Sequence, residues 1–130
     1  MDTQLPTSLI NGTTQIDLVL PADPQLLRIV RLVASGLASL VSLDLDGVEE
    51  TRVAADELVS ALIEASAGDP ITIKFTVTDE LLRLEGSTAL PAGTDLQVDP
   101  MVDRVLDAVS TRHHWHTDAG VAHGLVERTR

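Results

Sequence analysis

Four histidines lie close together near the end of the sequence, and imidazole is a common zinc ligand in proteins. They are His113, His114, His116 and His123. On a β-strand, His114 and His116 share one face, and His123 on the next strand could join them. Three such ligands with one open position are typical of a catalytic zinc site. No motif fixes this spacing and no carboxylate is clearly placed behind the rings, so the pattern favours surface histidines over a metal site.

Three carboxylates recur at intervals of seven residues, at Glu50, Glu57 and Glu64. This interval places them on one face of a helix. The opposite face is apolar and consists of Val48, Thr51, Ala55, Leu58, Val59 and Leu62. The pattern alone predicts a helix that lies on a sheet and keeps its acidic face in water.

Other chemically active groupings are not supported by the sequence. The segment from Ser42 to Gly47 begins like an EF-hand loop, but its twelfth position is Val53, where calcium requires a bidentate Glu. No serine has the Gly-x-Ser-x-Gly surroundings of a hydrolase nucleophile, and there is no Walker or Rossmann loop. The absence of cysteine excludes disulfides and thiolate metal sites.

The composition is that of an acidic, folded chain. Hydrophobic residues make up 44% of the 130 residues and aromatic residues only 2%, so the core must be aliphatic. The net charge of −11 argues against nucleic acid or an anionic membrane as a partner, and it suits a basic protein partner. No apolar run approaches the roughly 20 residues of a membrane span. The N-terminus lacks the features of a signal peptide, so a cytoplasmic protein is predicted.

Periodicity divides the chain into eight elements. Asp23 and Pro24 are typical of a helix start, and the strict alternation at 71–77 is the clearest strand signal. Gly36 costs about 1 kcal/mol inside a helix and therefore predicts a close helix contact. The predicted order is strand 15–20, helix 24–41, connection 44–47, helix 48–66, strand 71–77, strand 81–86, loop 87–99, helix 100–110, strand 112–117 and strand 121–127.

This order predicts an α+β fold built as a two-layer sandwich. A mixed or antiparallel sheet of about five strands forms one layer, and the three helices pack on one face of it. Residues 1–13 are expected to be a flexible tail, and residues 14–130 a single domain.

The first two helices resemble those of a known family. The carrying residues are Ile29-Val30-Arg31-Leu32, an acidic connection, and then Glu49-Glu50-x-Arg52-x-Ala54-x-Asp56-Glu57-Leu58. The helix at 101–109 and the closing strands fit the same pattern. Over about residues 20–127 the chain is similar to the anti-sigma-factor serine kinases, which share the GHKL (Bergerat) ATPase fold. The resemblance implies a Bergerat-like sheet covered by helices.

The resemblance also implies what remains of the family's ATP site. A Glu on the second helix polarises the acceptor hydroxyl or water, and this position maps onto Glu57. An Asn one turn later binds magnesium, and this position maps onto Ala61, which cannot bind a metal. No Asp-x-Gly occurs in residues 82–95, and residues 86–100 are too few for a phosphate loop and lid. The expectation is a vestigial site without catalytic residues or cofactor, with ATP and magnesium as the less favoured alternative.

The same resemblance implies protein partners. Arg31 matches a first-helix position that the family uses to contact partners, and Arg28 is assigned to the same surface. A plain surface arginine is the alternative for Arg31. The expected function is a non-catalytic, anti-sigma-like regulatory domain that binds a sigma factor or a STAS-type antagonist. Two alternatives stay open: an ATP-binding serine/threonine kinase with an atypical site, and a self-associating module that forms a homodimer.

Overall fold

The computed structural model describes residues 12–41 and 43–130, and these form five strands and three α-helices. The tail predicted at 1–13 lies outside the described residues apart from Gly12 and Thr13. A 3₁₀ turn at Pro24–Leu26 leads into the first helix. The elements are β1 (Thr14–Leu20), α1 (Leu27–Leu40), α2 (Leu45–Ala65), β2 (Ile71–Val77), β3 (Leu81–Ala89), α3 (Pro100–Val109), β4 (Arg112–Asp118) and β5 (Val121–Thr129).

The strands form one open antiparallel sheet in the order β1-β2-β3-β5-β4. Along β2 the side chains of Ile71, Ile73, Phe75 and Val77 are buried, whereas Thr72 and Lys74 between them are exposed. One face of the sheet therefore carries the aliphatic core and the other faces solvent. The predicted α+β fold with a five-stranded sheet is confirmed.

Helix α2 lies at the centre of the helical layer because two glycines let it approach the sheet. Gly86 on β3 and Gly124 on β5 are register partners. A Cβ added at Gly86 would lie 2.5 Å from Leu62 Cδ1, and one added at Gly124 would lie 2.5 Å from Leu58 Cδ1. Helix α1 packs along one side of α2, and α3 packs along the other side.

Two predicted boundaries were wrong because local capping and pairing extend the elements. Helix α2 begins at Leu45 instead of 48, since the Asp44 carboxylate accepts a hydrogen bond from the Gly47 N–H at 2.7 Å and caps the helix. Strand β3 runs on to Ala89 rather than stopping at 86, because pairing with β5 continues as far as Val121. The connection between β3 and α3 is consequently shorter than predicted.

The predicted close helix contact at Gly36 is also wrong. Gly36 lies on the exposed side of α1, and a Cβ added there would meet no atom within 4 Å. The burial of α1 falls on Val30, Ala34, Leu37 and Ala38, which turn toward the core. The helix contact is thus made by alanines and branched residues on the opposite side from the glycine.

Candidate functional site

Helix α2 carries the sequence-predicted site residues on its two flanks. Glu50, Glu57 and Ala61 lie on the flank that faces α3, which we call the α3 flank. Arg52 and Asp56 lie on the flank that faces α1, the α1 flank. The two flanks are separated by the buried stripe that contains Leu58 and Leu62. Each predicted role can therefore be examined on its own side of the helix.

Glu57 is partly buried on the α3 flank. Burial, and secondarily the neighbouring Asp56 carboxylate, raise the pKa of Glu57 above its ordinary value of 4.5. A raised pKa is compatible with a residue that exchanges protons, but partial desolvation and the Asp56 charge account for it here. One turn later, Ala61 presents only a methyl group at the position where the resemblance expects a metal ligand.

Glu50 on the same flank is not part of a solvated acidic face, contrary to the sequence prediction. Its carboxylate accepts a hydrogen bond from Arg128 Nη1 on β5. The same nitrogen also donates to the Val109 carbonyl oxygen at the end of α3, at 3.0 Å. Arg128 therefore ties α2, β5 and α3 together. The regular spacing of the three glutamates concealed this difference because the partner lies 78 residues away.

The connection from β3 to α3, residues 90–99, crosses the end of the sheet beside the α3 flank. We call this segment the strap. The buried Leu90 donates its N–H to the Gly120 carbonyl oxygen at 2.9 Å, and Leu96 donates its N–H to Thr117 Oγ1 at 3.3 Å. Leu96 also packs against the core. Asp99 ends the strap and caps α3 by accepting the Met101 N–H at 2.9 Å.

ATP and magnesium do not fit the residues of the α3 flank. Ala61 offers no oxygen to magnesium, and Glu50 is already paired with Arg128. Gly86 lies under Leu62 and lets α2 approach the sheet, so it does not form an adenine or phosphate turn. The described strap is short and tied down at both ends, so it cannot wrap a triphosphate as a phosphate loop does.

The predicted partner residues, Arg28 and Arg31, lie on α1 beside the α1 flank of α2. The Arg31 guanidinium pairs with Asp56 across the α1–α2 contact, with Nε to Oδ1 at 3.0 Å. Within the described ranges Arg28 has no ion pair, and Leu32 beside it leaves 72% of its surface exposed. A depression of about 440 Å³ is lined by Arg28, Arg31 and Leu32, together with two residues that the sequence prediction missed. We call this set the α1 patch: Arg28, Arg31, Leu32, Ser35 and Arg52.

Three of the four histidines form a file on the open face of the sheet. His116 and His123 are register partners on β4 and β5, and their rings stack with centroids 4.6 Å apart. The ring of His114 stacks on His116 at 5.5 Å. In the described part of the chain, no cluster of three or more histidine, aspartate or glutamate side chains could hold a metal ion. The three weak candidates are thus brought together as a stack of rings rather than a ligand set.

The fourth histidine lies on the opposite face and packs against α3. His113 Nε2 lies 3.1 Å from Asp103 Oδ1, and Trp115 Nε1 donates to the same oxygen at 3.0 Å. The sequence prediction missed Asp103, although alternation along β4 already separated His113 from His114 and His116. A carboxylate on the preceding helix was the missing signal, and only the fold brings it near.

A buried carboxylate on the open face was also missed. Glu127 on β5 accepts hydrogen bonds from Arg83 Nε at 2.7 Å and Arg112 Nε at 2.5 Å. Burial by itself raises the pKa of Glu127, but the two arginine hydrogen bonds and charges outweigh it and hold the pKa below 4.5. The three residues are cross-strand neighbours, so the cluster stabilises β3, β5 and β4 as a unit.

Comparisons with known proteins support the fold without identifying a sequence family. No family of known proteins matches the sequence, and no curated protein matches it. None of the helices in the described ranges is both long and apolar enough to cross a membrane.

Among solved structures, the chain is similar to the crystal structure of the RsbU and RsbW domains of Rv1364c from Mycobacterium tuberculosis. The TM-score is 0.69 at 16% sequence identity. The match covers 89% of this chain and 32% of that chain, so this chain spans about a third of the neighbour's length. This likeness confirms the predicted resemblance at the level of architecture: the chain has the RsbW-like fold of the anti-sigma-factor serine kinases.

Proposed function

We propose that this chain is a regulatory protein-binding domain of the anti-sigma type that acts by partner switching and does not catalyse phosphoryl transfer. The observation that carries the proposal is that the fold is kept while the position expected to bind magnesium is Ala61. Catalysis of phosphoryl transfer depends on a metal that neutralises the phosphates, and a methyl group cannot hold one. Protein binding is then the function that we propose for this fold.

The α1 patch supports a protein partner. Three of the chain's nine basic residues, Arg28, Arg31 and Arg52, line one depression on a chain of net charge −11. Exposed Leu32 gives the patch an apolar centre. Arginine is enriched at protein interfaces, and the patch suits a partner segment that carries carboxylates around an apolar residue. A sigma factor or a STAS-type antagonist is the proposed partner class.

Binding measurements with purified sigma factors and STAS-domain proteins of the native host test the proposal. We expect one of them to bind the chain, and Arg28→Glu to weaken that binding at least about tenfold. Arg104→Glu on exposed α3 is the matched control, since it makes the same charge change away from the α1 patch. Binding that is absent for both partner classes would contradict the proposal, as would equal losses for the two variants.

A kinase with an atypical site is the second candidate, favoured by the raised pKa of Glu57. A general base gains from a pKa nearer neutrality. Calorimetry with millimolar Mg-ATP tests this candidate, and heat of binding that is lost in Glu57→Gln would support it. We expect no heat from either protein.

Self-association is the third candidate, favoured by the exposed edge strand β1. Val19 and Ile16 leave 62% and 38% of their surfaces exposed on this strand. An edge with exposed apolar side chains can pair with a second copy. Light scattering over micromolar concentrations distinguishes a homodimer from a monomer, and Val19→Lys is the variant that should dissociate a β1 dimer.

A further inference from the structure

We propose that the strap, residues 90–99, is a fixed connection that stays closed over the end of the sheet rather than a mobile lid, so that the domain does not respond to ATP. The proposal rests on the proposed function for its biological meaning but not for its test. It concerns regulation: a domain closed in this way is switched by competition between protein partners and not by nucleotide.

The first argument is the density of anchors along the strap. Leu90 is buried and hydrogen bonded to Gly120 at one end, and Asp99 caps α3 at the other end. Leu96 is held in between by Thr117 Oγ1 and by the core. Each held backbone group lowers the freedom that a lid requires in order to open and close.

The second argument concerns the stretch between the anchors. Residues 91–95 are exposed but close on themselves, because Thr94 donates both its N–H, at 3.2 Å, and its hydroxyl, at 2.6 Å, to the Pro91 carbonyl oxygen. Gly93 takes φ of +77°, which suits the turn without strain. The exposed part is therefore a small closed turn that projects from the sheet edge, not a slack loop.

The third argument is that the closure is continued along the α3 flank by charge. Arg128 joins Glu50 on α2 to the last carbonyl of α3 at Val109. Opening the space between α2 and α3 would break this pair and would also withdraw Leu106, which is fully buried. The desolvation and burial lost in such an opening make it costly, so the closed arrangement is the resting and the working state.

Residue-resolved amide exchange on the isolated chain tests the strap. We expect the Leu90 and Leu96 amides to exchange at least about a hundredfold more slowly than the exposed Gln97 amide. Thr117→Val removes the acceptor of the Leu96 N–H without changing side-chain size, and it should speed exchange at Leu96 about tenfold. Thr72→Val on the exposed face of β2 is the matched control and should leave Leu96 exchange unchanged. Leu96 exchange as fast as that of Gln97 would overturn the proposal.

The same measurement with and without millimolar Mg-ATP tests the response to nucleotide. We expect exchange rates throughout α2 and the strap to agree within about twofold. Slower exchange at 90–99 in the presence of Mg-ATP would overturn the proposal and show a nucleotide-gated lid. This measurement needs no partner protein. Failure to find a partner would therefore contradict the proposed function, whereas amide exchange would still decide whether the strap is fixed.

Discussion

The two flanks of α2 differ in what lies against them. On the α1 flank, arginines and an exposed leucine surround an open depression between two helices. On the α3 flank, Arg128 of β5 joins Glu50 of α2 to the last carbonyl of α3 at Val109. The depression between α1 and α2 is thus open to solvent, whereas the other side of α2 is tied to β5 and α3 through Arg128.

On the proposal that the ATP site is vestigial, this difference means that more than one metal ligand has changed. Replacement of one metal-binding side chain by Ala61 would leave an open groove if nothing else had changed. The Glu50–Arg128 pair is a structural interaction on the same flank. Ala61→Asn alone is not expected to give nucleotide binding, because residues 82–95 also lack the Asp-x-Gly motif and the phosphate loop is missing.

Both flanks depend on the close packing of α2 against the sheet, and Gly124→Val, which disturbs this packing, should have the largest effect on the free energy of unfolding. The new side chain would collide with Leu58 and with the Trp115 ring, whose Cζ3 would lie 2.6 Å from the added Cβ. Overpacking of a core commonly costs about 1–3 kcal/mol, and two packed neighbours must move here, the buried Leu58 and the partly buried Trp115, so we expect about 3 kcal/mol. Urea unfolding followed by emission of the single tryptophan measures both stability and displacement of α2.

The control for this change is Thr72→Val, which adds no core volume because Thr72 is exposed on the other sheet face. It should alter the free energy of unfolding by less than about 0.5 kcal/mol. A Gly124→Val protein as stable as the parent chain would show that α2 is not held at this distance, and the contrast between its flanks would lose its basis.

Arg128→Ala breaks the closed flank alone and should have the second largest effect. Both partners are only partly exposed, at 23% for the Arg128 side chain and 35% for that of Glu50, so screening by solvent reduces the pair's value. Removal also leaves the Val109 carbonyl without this donor. We expect a loss of about 1–2 kcal/mol by urea unfolding.

A double-mutant cycle with Glu50→Gln separates the pair from the rest of the change. The coupling should be about 0.5–1 kcal/mol, and Arg104→Ala, an exposed arginine on α3, should cost almost nothing. Zero coupling would mean that the Glu50–Arg128 pair adds nothing to the stability of the chain.

The fold was predictable because most of its signals are local. Alternation at 71–77 fixed β2 at both ends, and Asp23 with Pro24 marked the turn before α1. The errors have physical causes of two kinds. Helix α2 starts early because a side-chain cap at Asp44 overrides the weak helix propensity of Gly47. Strand β3 continues through 87–89 because pairing with β5 adds hydrogen bonds that its own sequence does not announce.

The site was less predictable because its contacts are distant in sequence. Glu50, Glu57 and Glu64 looked equivalent, yet Glu50 pairs with Arg128, and burial raises the pKa of Glu57. Periodicity reports the face of a helix and not what covers it. The resemblance pointed to Arg31 as a partner-binding residue but not to Arg52, which completes the depression from α2.

On the open flank, Gly36→Ala should raise stability. The position is helical and exposed, and the added methyl group meets no atom within 4 Å. Alanine reduces the freedom of the unfolded chain and favours the helix, so we expect a gain of about 0.5–1 kcal/mol by urea unfolding. Gly68→Ala is the opposed control, because φ of +96° there should make the same change destabilising. Loss of stability at Gly36 would indicate a contact on the open flank that the present structure lacks.

The smallest expected effect is a pH-dependent change in stability at Glu57 on the α3 flank. Since burial and Asp56 raise the pKa of Glu57, its ionised form is disfavoured in the folded chain. The stability associated with its protonation is therefore present below its ordinary pKa of 4.5 and is lost as pH rises through the raised folded value. Glu57→Gln should then stabilise the chain by a few tenths of a kcal/mol at pH 7.5, after allowance for solvent screening, and by nothing at pH 4.

Glu64→Gln, at an exposed site on the same helix, is the matched control and should show no such difference between the two pH values. Urea unfolding of both variants at the two pH values measures the effect. A Glu57→Gln chain that is less stable at pH 7.5 would mean that the carboxylate makes a favourable contact on the α3 flank, and Glu57 would then be a working group rather than a remnant.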